Sequence, residues 1–516
     1  MKTGYINGHL YNKPHTAFLT EDGKFTAFGT DEEIANQSDE VINLQGQYVY
    51  PGFFDSHMHL VNLGFVLDNV KLDDCTSLTQ IRSLLEKRDS SRWIVARGYN
   101  EDKIEEHRIF NRAELDEMFP DTPVCLTRCC GHKMVANSKA MELAGVTKDT
   151  AVSGGKIFFE EGFFEENAIE RIVQARPEPT VEDIKRYIRL GMACCNTYGV
   201  TSVASDDFLT VTSSYEKVQE AYRQLSESGE LTVRVNEQSQ FASAKDLQRF
   251  LDEGLTMGVG NDLYKIGPIK LLMDGSLGAR TAYMSEPYHD KPDTCGYNIF
   301  TEEDITGYVR LGKTKNMPTI IHTIGDKALD MVLNVYNREV EQGNPLHYGM
   351  VHVQITRPDQ IQNIIDRKYH CYLQTIFTDY DSMIVKDRVG EERADTSYMF
   401  KTLYEGTTVS NGTDCPVEPC HALFGIACAM THKSMTHPEY SFNEKETLTF
   451  EQAMDTYTAG GAKVTFEWDR KGSLDVGKFA DFFITKEDLS ALTPQQLTTV
   501  SIQETYLNGN NVYTAE

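Results

Sequence analysis

The sequence predicts an α/β protein: a (β/α)8 TIM barrel with an insertion after its first strand, plus a small β-sandwich built from both chain ends. Three observations predict it. Eight short apolar runs of β character alternate with helical patterns through the middle of the chain. Both ends carry hairpin-like β runs that are each too small to bury a core alone. Histidine, lysine and aspartate recur at the carboxyl ends of the middle runs, the end where barrel enzymes do their chemistry.

A chain of 516 residues is long enough for one elaborated barrel with a satellite domain. Its 40% hydrophobic and 25% charged content is that of a globular protein. Residues 1–50 hold the runs YINGHLY, AFLTEDGKFTAFG and VINLQGQYVY, with Asp22-Gly23 as a hairpin turn signal. GSLDVGKFADFFITKED and IQETYLNGNNVYT have the same character near the other end. The expected sandwich therefore combines 1–50 with 465–516, and the barrel occupies 51–464.

The eight expected barrel strands are 48–55, 199–204, 231–236, 264–273, 318–323, 348–353, 369–374 and 407–413. Amphipathic helices fill the gaps, as in 328–343, where Gly343 fits a C-cap, and in 357–369. The gap after the first strand is too long for one helix. Residues 60–190 are expected to form an insertion, with β-like runs at 93–98 and 123–128. An insertion in a βα loop lies over the active-site end, so it is expected to act as a lid or substrate-recognition subdomain.

His57 and His59 stand two apart, and alternate strand residues share a face, so both imidazoles can point into the barrel mouth. Lys270 lies in the fourth strand, His322 and His352 near the ends of the fifth and sixth, and Asp414 directly after the eighth. Each residue alone carries little; a lone histidine in a β run is more often packing or surface. Together they make a ligand set of imidazole nitrogen and carboxylate oxygen. That set suits Zn²⁺ first, with Mn²⁺, Fe²⁺ or Ni²⁺ as substitutes.

PGFFDSHMH resembles the strand-one signature of the amidohydrolase superfamily. The chain is similar to one branch of it, the amidohydrolases akin to N-substituted formamide deformylase. The likeness runs through GHKMVANSKAMELAGV (131–146), IKLLMDGSLGARTAYMSEPY (269–288), HTIGDKAL (322–329), VHVQ (351–354), GTDCPVEP (412–419) and GSLDVGKFAD (472–481). The resemblance implies that His57, His59, His322, His352 and Asp414 are metal ligands. It implies that Lys270 is carboxylated and bridges two ions, the alternative being an unmodified lysine beside a mononuclear site. Asp414 would also be the general base.

Four further residues are candidates for substrate binding: His132 and Tyr99 in the insertion, and Asp274 and Arg280 after the fourth strand. Each has a bland alternative. For His132 it is lid packing, and for Arg280 it is pairing with an acidic side chain. Asp326 reads as a helix cap as readily as a substrate contact. Cys415 flanks the site without a base partner and is not read as a nucleophile.

The expected activity is hydrolysis of a non-peptide carbon–nitrogen bond with one or two divalent ions. A deaminase of the same superfamily is the first alternative. Such enzymes resemble this chain but place glutamate three residues after the fifth-strand histidine, where Gly325 stands here. A non-catalytic scaffold on the same fold is the second, although none of the expected ligands is missing. A glycosidase barrel would need paired strand-end carboxylates, and Asp414 has no obvious partner of that kind. The net charge of −27 argues against a nucleic-acid partner. No apolar run approaches a membrane span, no signal peptide is visible, and the 11 cysteines show no zinc-ribbon spacing. The expectation is a cytoplasmic enzyme acting on a small molecule; the oligomeric state is not readable from the sequence, a homodimer being one option.

Overall fold

The computed structural model describes residues 1–516. Its centre is a sheet of eight parallel strands in sequential order, β1 Phe53–Met58, β2 Val200–Ser205, β3 Arg234–Gln240, β4 Tyr264–Leu272, β5 Thr319–Thr323, β6 Gly349–His352, β7 His370–Leu373 and β8 Val409–Asn411. Helices intervene along the chain, as expected of a (β/α)8 barrel. Just beyond the strand ends, β8 meets β1. The Asp414 N–H donates to the His57 carbonyl at 2.8 Å, and the His59 N–H donates to the Cys415 carbonyl at 2.8 Å. Gly412 makes that approach possible, because a Cβ there would stand 2.5 Å from the His57 nitrogen.

The expected first strand, 48–55, is two strands. Tyr48–Pro51 pairs antiparallel with Phe482–Thr485 in a terminal sheet, and only Phe53–Met58 enters the barrel. Gly52 is the crossing point. A side chain there would collide with Thr201 Oγ1 at 2.1 Å, so glycine lets the chain pass between the two sheets. Gly343 is not a helix cap. The helix Asp326–Glu339 ends at the extended Val340, and Gly343 instead lies in the following turn with φ 83°.

The chain ends form two small sheets. One has four strands from residues 2–43. The other has five, joining His9–Leu10 and Tyr48–Pro51 to Phe482–Thr485, Glu504–Leu507 and Asn510–Thr514. Asp22 and Gly23 both have positive φ, the conformation a two-residue hairpin turn needs. Aromatic rings fill the core: Tyr5 stacks on Phe18 at 4.6 Å, Phe482 stacks on Tyr506 at 4.4 Å, and Tyr5 meets Phe482 edge-on.

A buried ion pair ties this layer to the barrel. Arg234 of β3 donates to Asp481 through Nε at 2.7 Å and Nη2 at 2.9 Å, both residues being under 10% exposed. Replacing Asp481 with alanine strands the guanidinium charge. Asp481→Ala is expected to lower the unfolding free energy by about 3–5 kcal/mol, read from urea denaturation. An unchanged midpoint would contradict that linkage.

His432 gives the fold a pH dependence. It is fully buried against Phe400 and Phe442. Burial pushes its pKa down to about 3. The unfolded chain therefore takes up a proton near pH 6.5 that the folded chain refuses, and stability falls as the pH drops from 6.5 towards 3. At pH 5 the loss from this residue is about 2 kcal/mol relative to pH 8. His432→Leu is expected to flatten the pH–stability curve by that amount; an unaltered slope would refute the assignment.

Residues 64–183 form a second compact unit. It has its own six-stranded sheet, in which the expected runs at 93–98 and 123–128 appear as the parallel pair Ile94–Tyr99 and Val124–Arg128. Ile81, Leu85, Leu115, Leu126 and Val135 lie in its separate apolar core. No helix of the chain is long and apolar enough to cross a membrane.

Candidate metal centre

The expected ligands converge at the carboxyl ends of the barrel strands. The ligand atoms of His57, His352 and Asp414 lie within 4.8 Å of one another, and all three residues are buried. Asp414 Oδ1 is 3.1 Å from His59 Nε2 and 3.5 Å from His57 Nε2. The His322 and His352 rings are 4.5 Å apart, and Lys270 Nζ lies 3.4 Å from Asp206 Oδ2.

Local backbone aims these groups. The last residue of β6 and the one after it are both left-handed, His352 at φ 75° and Val353 at φ 52°. A β-branched residue rarely adopts that conformation, and each such strained residue costs of order 1–3 kcal/mol. Asp414, at φ 57°, makes the same kind of turn after β8. Behind it, Asp55 accepts hydrogen bonds from the Thr413 and His57 N–H groups and the Thr413 hydroxyl. Burial raises the Asp55 pKa to about 7 against those donors.

The ring partners fix the tautomers. Gln238 donates its amide to the Ser56 carbonyl, so its Oε1 accepts from His57 Nδ1 at 2.6 Å. His59 Nδ1 donates to the Asp206 carbonyl at 2.8 Å, and His322 Nε2 donates to the Gly275 carbonyl at 3.0 Å. A carbonyl only accepts, so His57 and His59 present Nε2 and His322 presents Nδ1 as the remaining ring nitrogen. Outer acceptors of this kind orient ligating histidines in metal proteins.

The electrostatics suit a cation. Burial, then the Lys270 charge, holds the His57 imidazole well below its usual range; His322 is lowered by burial, His352 and Lys270. Burial pushes His352 down to about 4. These rings are neutral, the form that ligates metal. Burial would lower His59 too, but its hydrogen bond and charge contact with Asp414 outweigh that and raise it to about 9. Asp414 is held below the usual carboxylate range, its contacts with His59 and His57 overcoming burial. The buried Asp206 Oδ1, which has no hydrogen-bond partner, adds to a donor set that fits a divalent ion.

The expected substrate-binding residues are placed differently. Asp274 is 1% exposed, and its carboxylate accepts the Tyr283, Ile324 and Gly325 N–H groups while standing 3.5 Å from His322 Nε2. It ties the loops after β4 and β5 together and braces His322. Burial, opposed by those three N–H groups, puts its pKa at about 7. Arg280 is committed to Asp290 through two hydrogen bonds, with Arg388 on the same carboxylate. Asp326 accepts from Ser285 and Arg357. In the 64–183 unit, His132 is exposed and pairs with Glu166 at 3.0 Å. Tyr99 is wholly enclosed in that unit's apolar core.

Asp206, Gln238 and Asp55 are site residues that the sequence reading did not single out. Asp206 and Gln238 lie beyond the expected ends of the second and third strands. Asp55 stands inside the PGFFDSHMH motif, which was its only signal.

The sequence profile of the amidohydrolase family matches residues 40–513. The chain is 29% identical to YtcJ of Bacillus subtilis, a protein named as an amidohydrolase, over 99% of this chain and 98% of that protein. It is 24% identical to N-substituted formamide deformylase of Arthrobacter pascens, over 96% of this chain and 94% of that enzyme. The crystal structure of an uncharacterized metal-dependent hydrolase from Pyrococcus furiosus matches with a TM-score of 0.79 at 29% identity, covering 95% of this chain and 100% of that one. A profile match across nearly the whole chain, over a barrel whose strand ends gather this histidine and aspartate cluster, shows that the chain belongs to the amidohydrolase family of hydrolases.

Proposed function

We propose that the chain hydrolyses a non-peptide amide bond, with Asp414 moving the proton. The observation that carries this reading is the approach of Asp414 Oδ1 to His59 Nε2 and His57 Nε2, at 3.1 and 3.5 Å, within a ring of strand-end imidazoles. His57, His59, His322, His352 and Asp414 would hold one or two divalent ions, Zn²⁺ first among them. When bound, the ion supplies Lewis acidity, which polarises a carbonyl and makes water nucleophilic at neutral pH. Asp414 accepts the proton that water loses as it adds to the carbonyl carbon. It returns that proton to the nitrogen as the carbon–nitrogen bond breaks, leaving a carboxylic acid and an amine, and the acid then loses its own proton to solvent. The likeness to N-substituted formamide deformylase along nearly the whole chain supports an N-substituted amide as the substrate class.

Lys270 fits the carbamate role. It is 1% exposed, and its positive charge lowers the pKa of His57, His322 and His352, so as a free ammonium it would repel a divalent ion among them. Its neutral amine adds CO₂ and loses one proton, becoming an anionic oxygen ligand able to bridge two ions. The 11 free cysteines suit a reducing compartment such as the cytoplasm.

Two measurements test the reading. Metal-loaded protein is offered a panel of N-formyl and N-acyl amines, dipeptides and amino-heterocycles, and released amine or ammonia is quantified. Amine release from the first group alone is expected; turnover confined to dipeptides or heterocycles would overturn the bond assignment. An anomalous-scattering map of the barrel mouth is expected to show two peaks ~3.5–4 Å apart beside a carboxylated Lys270. One peak beside a bare lysine would favour a mononuclear centre.

A further inference from the structure

Behind His59 lies a buried polar assembly that the proton-transfer steps do not use. His59 directly precedes the helix Leu60–Asp68. The first N–H groups of a helix have no partner within it. Here two of them are satisfied from β2 and the residues after it. The Leu60 N–H donates to Ser205 Oγ at 2.7 Å, and the Val61 N–H donates to Asp207 Oδ1 at 2.9 Å. Asp206, between those two acceptors, gives its carbonyl to His59 Nδ1. One short segment, 205–207, thus holds both the imidazole and the backbone that follows it.

That segment is itself held. The Asp207 N–H donates to Glu237 Oε1 at 3.1 Å, and Asp207 Oδ2 accepts from the Tyr222 hydroxyl at 2.6 Å. The Tyr222 ring stacks on Tyr264 with centroids 4.5 Å apart. Asp207, Glu237 and Tyr222 are all 0% exposed. Gln238, the next residue along β3, orients His57. Adjacent residues of one strand therefore fix both histidines of the H-x-H pair: Gln238 directly, and Glu237 through Asp207.

We propose that Asp207 is a positioning residue for the metal ligand His59, acting through the Val61 N–H and the Asp206 carbonyl, with Glu237 and Tyr222 holding it in place. This rests on the metal reading of His59. Its carboxylate touches neither substrate nor metal; it sets the angle at which the imidazole is presented.

The test is Co²⁺ affinity of the full chain, measured by chelator competition and by the visible absorption of bound Co²⁺. Asp207→Ala is expected to weaken Co²⁺ binding by about 10–100-fold, the usual effect of losing an outer partner, and to alter the absorption band. Asp207→Asn keeps a carbonyl oxygen for the Val61 N–H and is expected to restore most of the affinity. Asn137→Ala is the control for plain destabilisation. It removes a fully buried side chain that accepts the Val124 and Ala140 N–H groups in the 64–183 unit, and it is expected to lower the melting temperature with Co²⁺ affinity unchanged. Should Asp207→Ala fail to fold, Tyr222→Phe carries the test, with several-fold weaker Co²⁺ binding expected. Parental affinity in Asp207→Ala, or in Tyr222→Phe where the alanine variant does not fold, overturns the proposal, as does an asparagine variant as impaired as the alanine one. Absence of Co²⁺ binding by the parent protein would instead sink the metal reading, and this proposal with it.

Discussion

Asp414→Asn is expected to cut kcat by about 10²–10⁴ while leaving the fold intact. The substitution is well matched to the position. Asp414 lies in the left-handed region at φ 57°, where asparagine is as well tolerated as aspartate. Its N–H bond to the His57 carbonyl, which joins the two ends of the barrel sheet, does not involve the side chain. The amide keeps the size of the carboxylate and one oxygen in its place, but it cannot take a proton from water or deliver one to a leaving nitrogen. Metal stoichiometry measured on the same sample separates the two jobs of the carboxylate. Loss of turnover with metal retained isolates proton transfer, and loss of both shows that ligation dominates. Full activity in Asp414→Asn would remove the base assignment altogether.

The candidate ligands were legible in the sequence as a cluster because they lie where apolar strand patterns stop. His57, His322, His352 and Asp414 each sit at a boundary between a β run and a loop, and the family motifs surround them. Their supports were not legible, for a physical reason. β3 is RVNEQSQ, with six of its seven residues buried although most of them are polar. Glu237, Gln238 and Ser239 lie inside with hydrogen-bond partners there, so hydropathy reads the segment as a loop. The expected third strand, 231–236, accordingly stopped two residues short of Gln238. The split of the first strand at Gly52 escaped for a different reason. Both halves are apolar and extended, and only the position of Thr201 reveals that the chain changes sheets between them. Among the substrate candidates, Asp274 lies beside His322, and Arg280 is paired with Asp290. A carboxylate already accepting three N–H groups and a guanidinium already paired with Asp290 have little left to offer a ligand.

Removing a single imidazole should unmake the centre. In His57→Ala the loss falls on the most enclosed of the four candidate histidines, whose Nδ1 is committed to Gln238 and whose Nε2 faces Asp414. Metal affinity is expected to fall by more than about 100-fold, beyond the range produced by losing an outer partner such as Gln238. Thermal stability reports this without any substrate. With metal at about 1,000 times its dissociation constant, binding adds about 4 kcal/mol to the folded state. At the same metal concentration a 100-fold weaker site adds only about 1.4 kcal/mol. The parent protein should therefore melt well above its chelated form, while His57→Ala should melt nearly alike with and without metal. Gln238→Leu should fall between the two, because it leaves the imidazole in place but frees its rotation. Equal metal stabilisation of the parent and His57→Ala would mean that the ion binds elsewhere, and the strand-end histidines would then need another explanation.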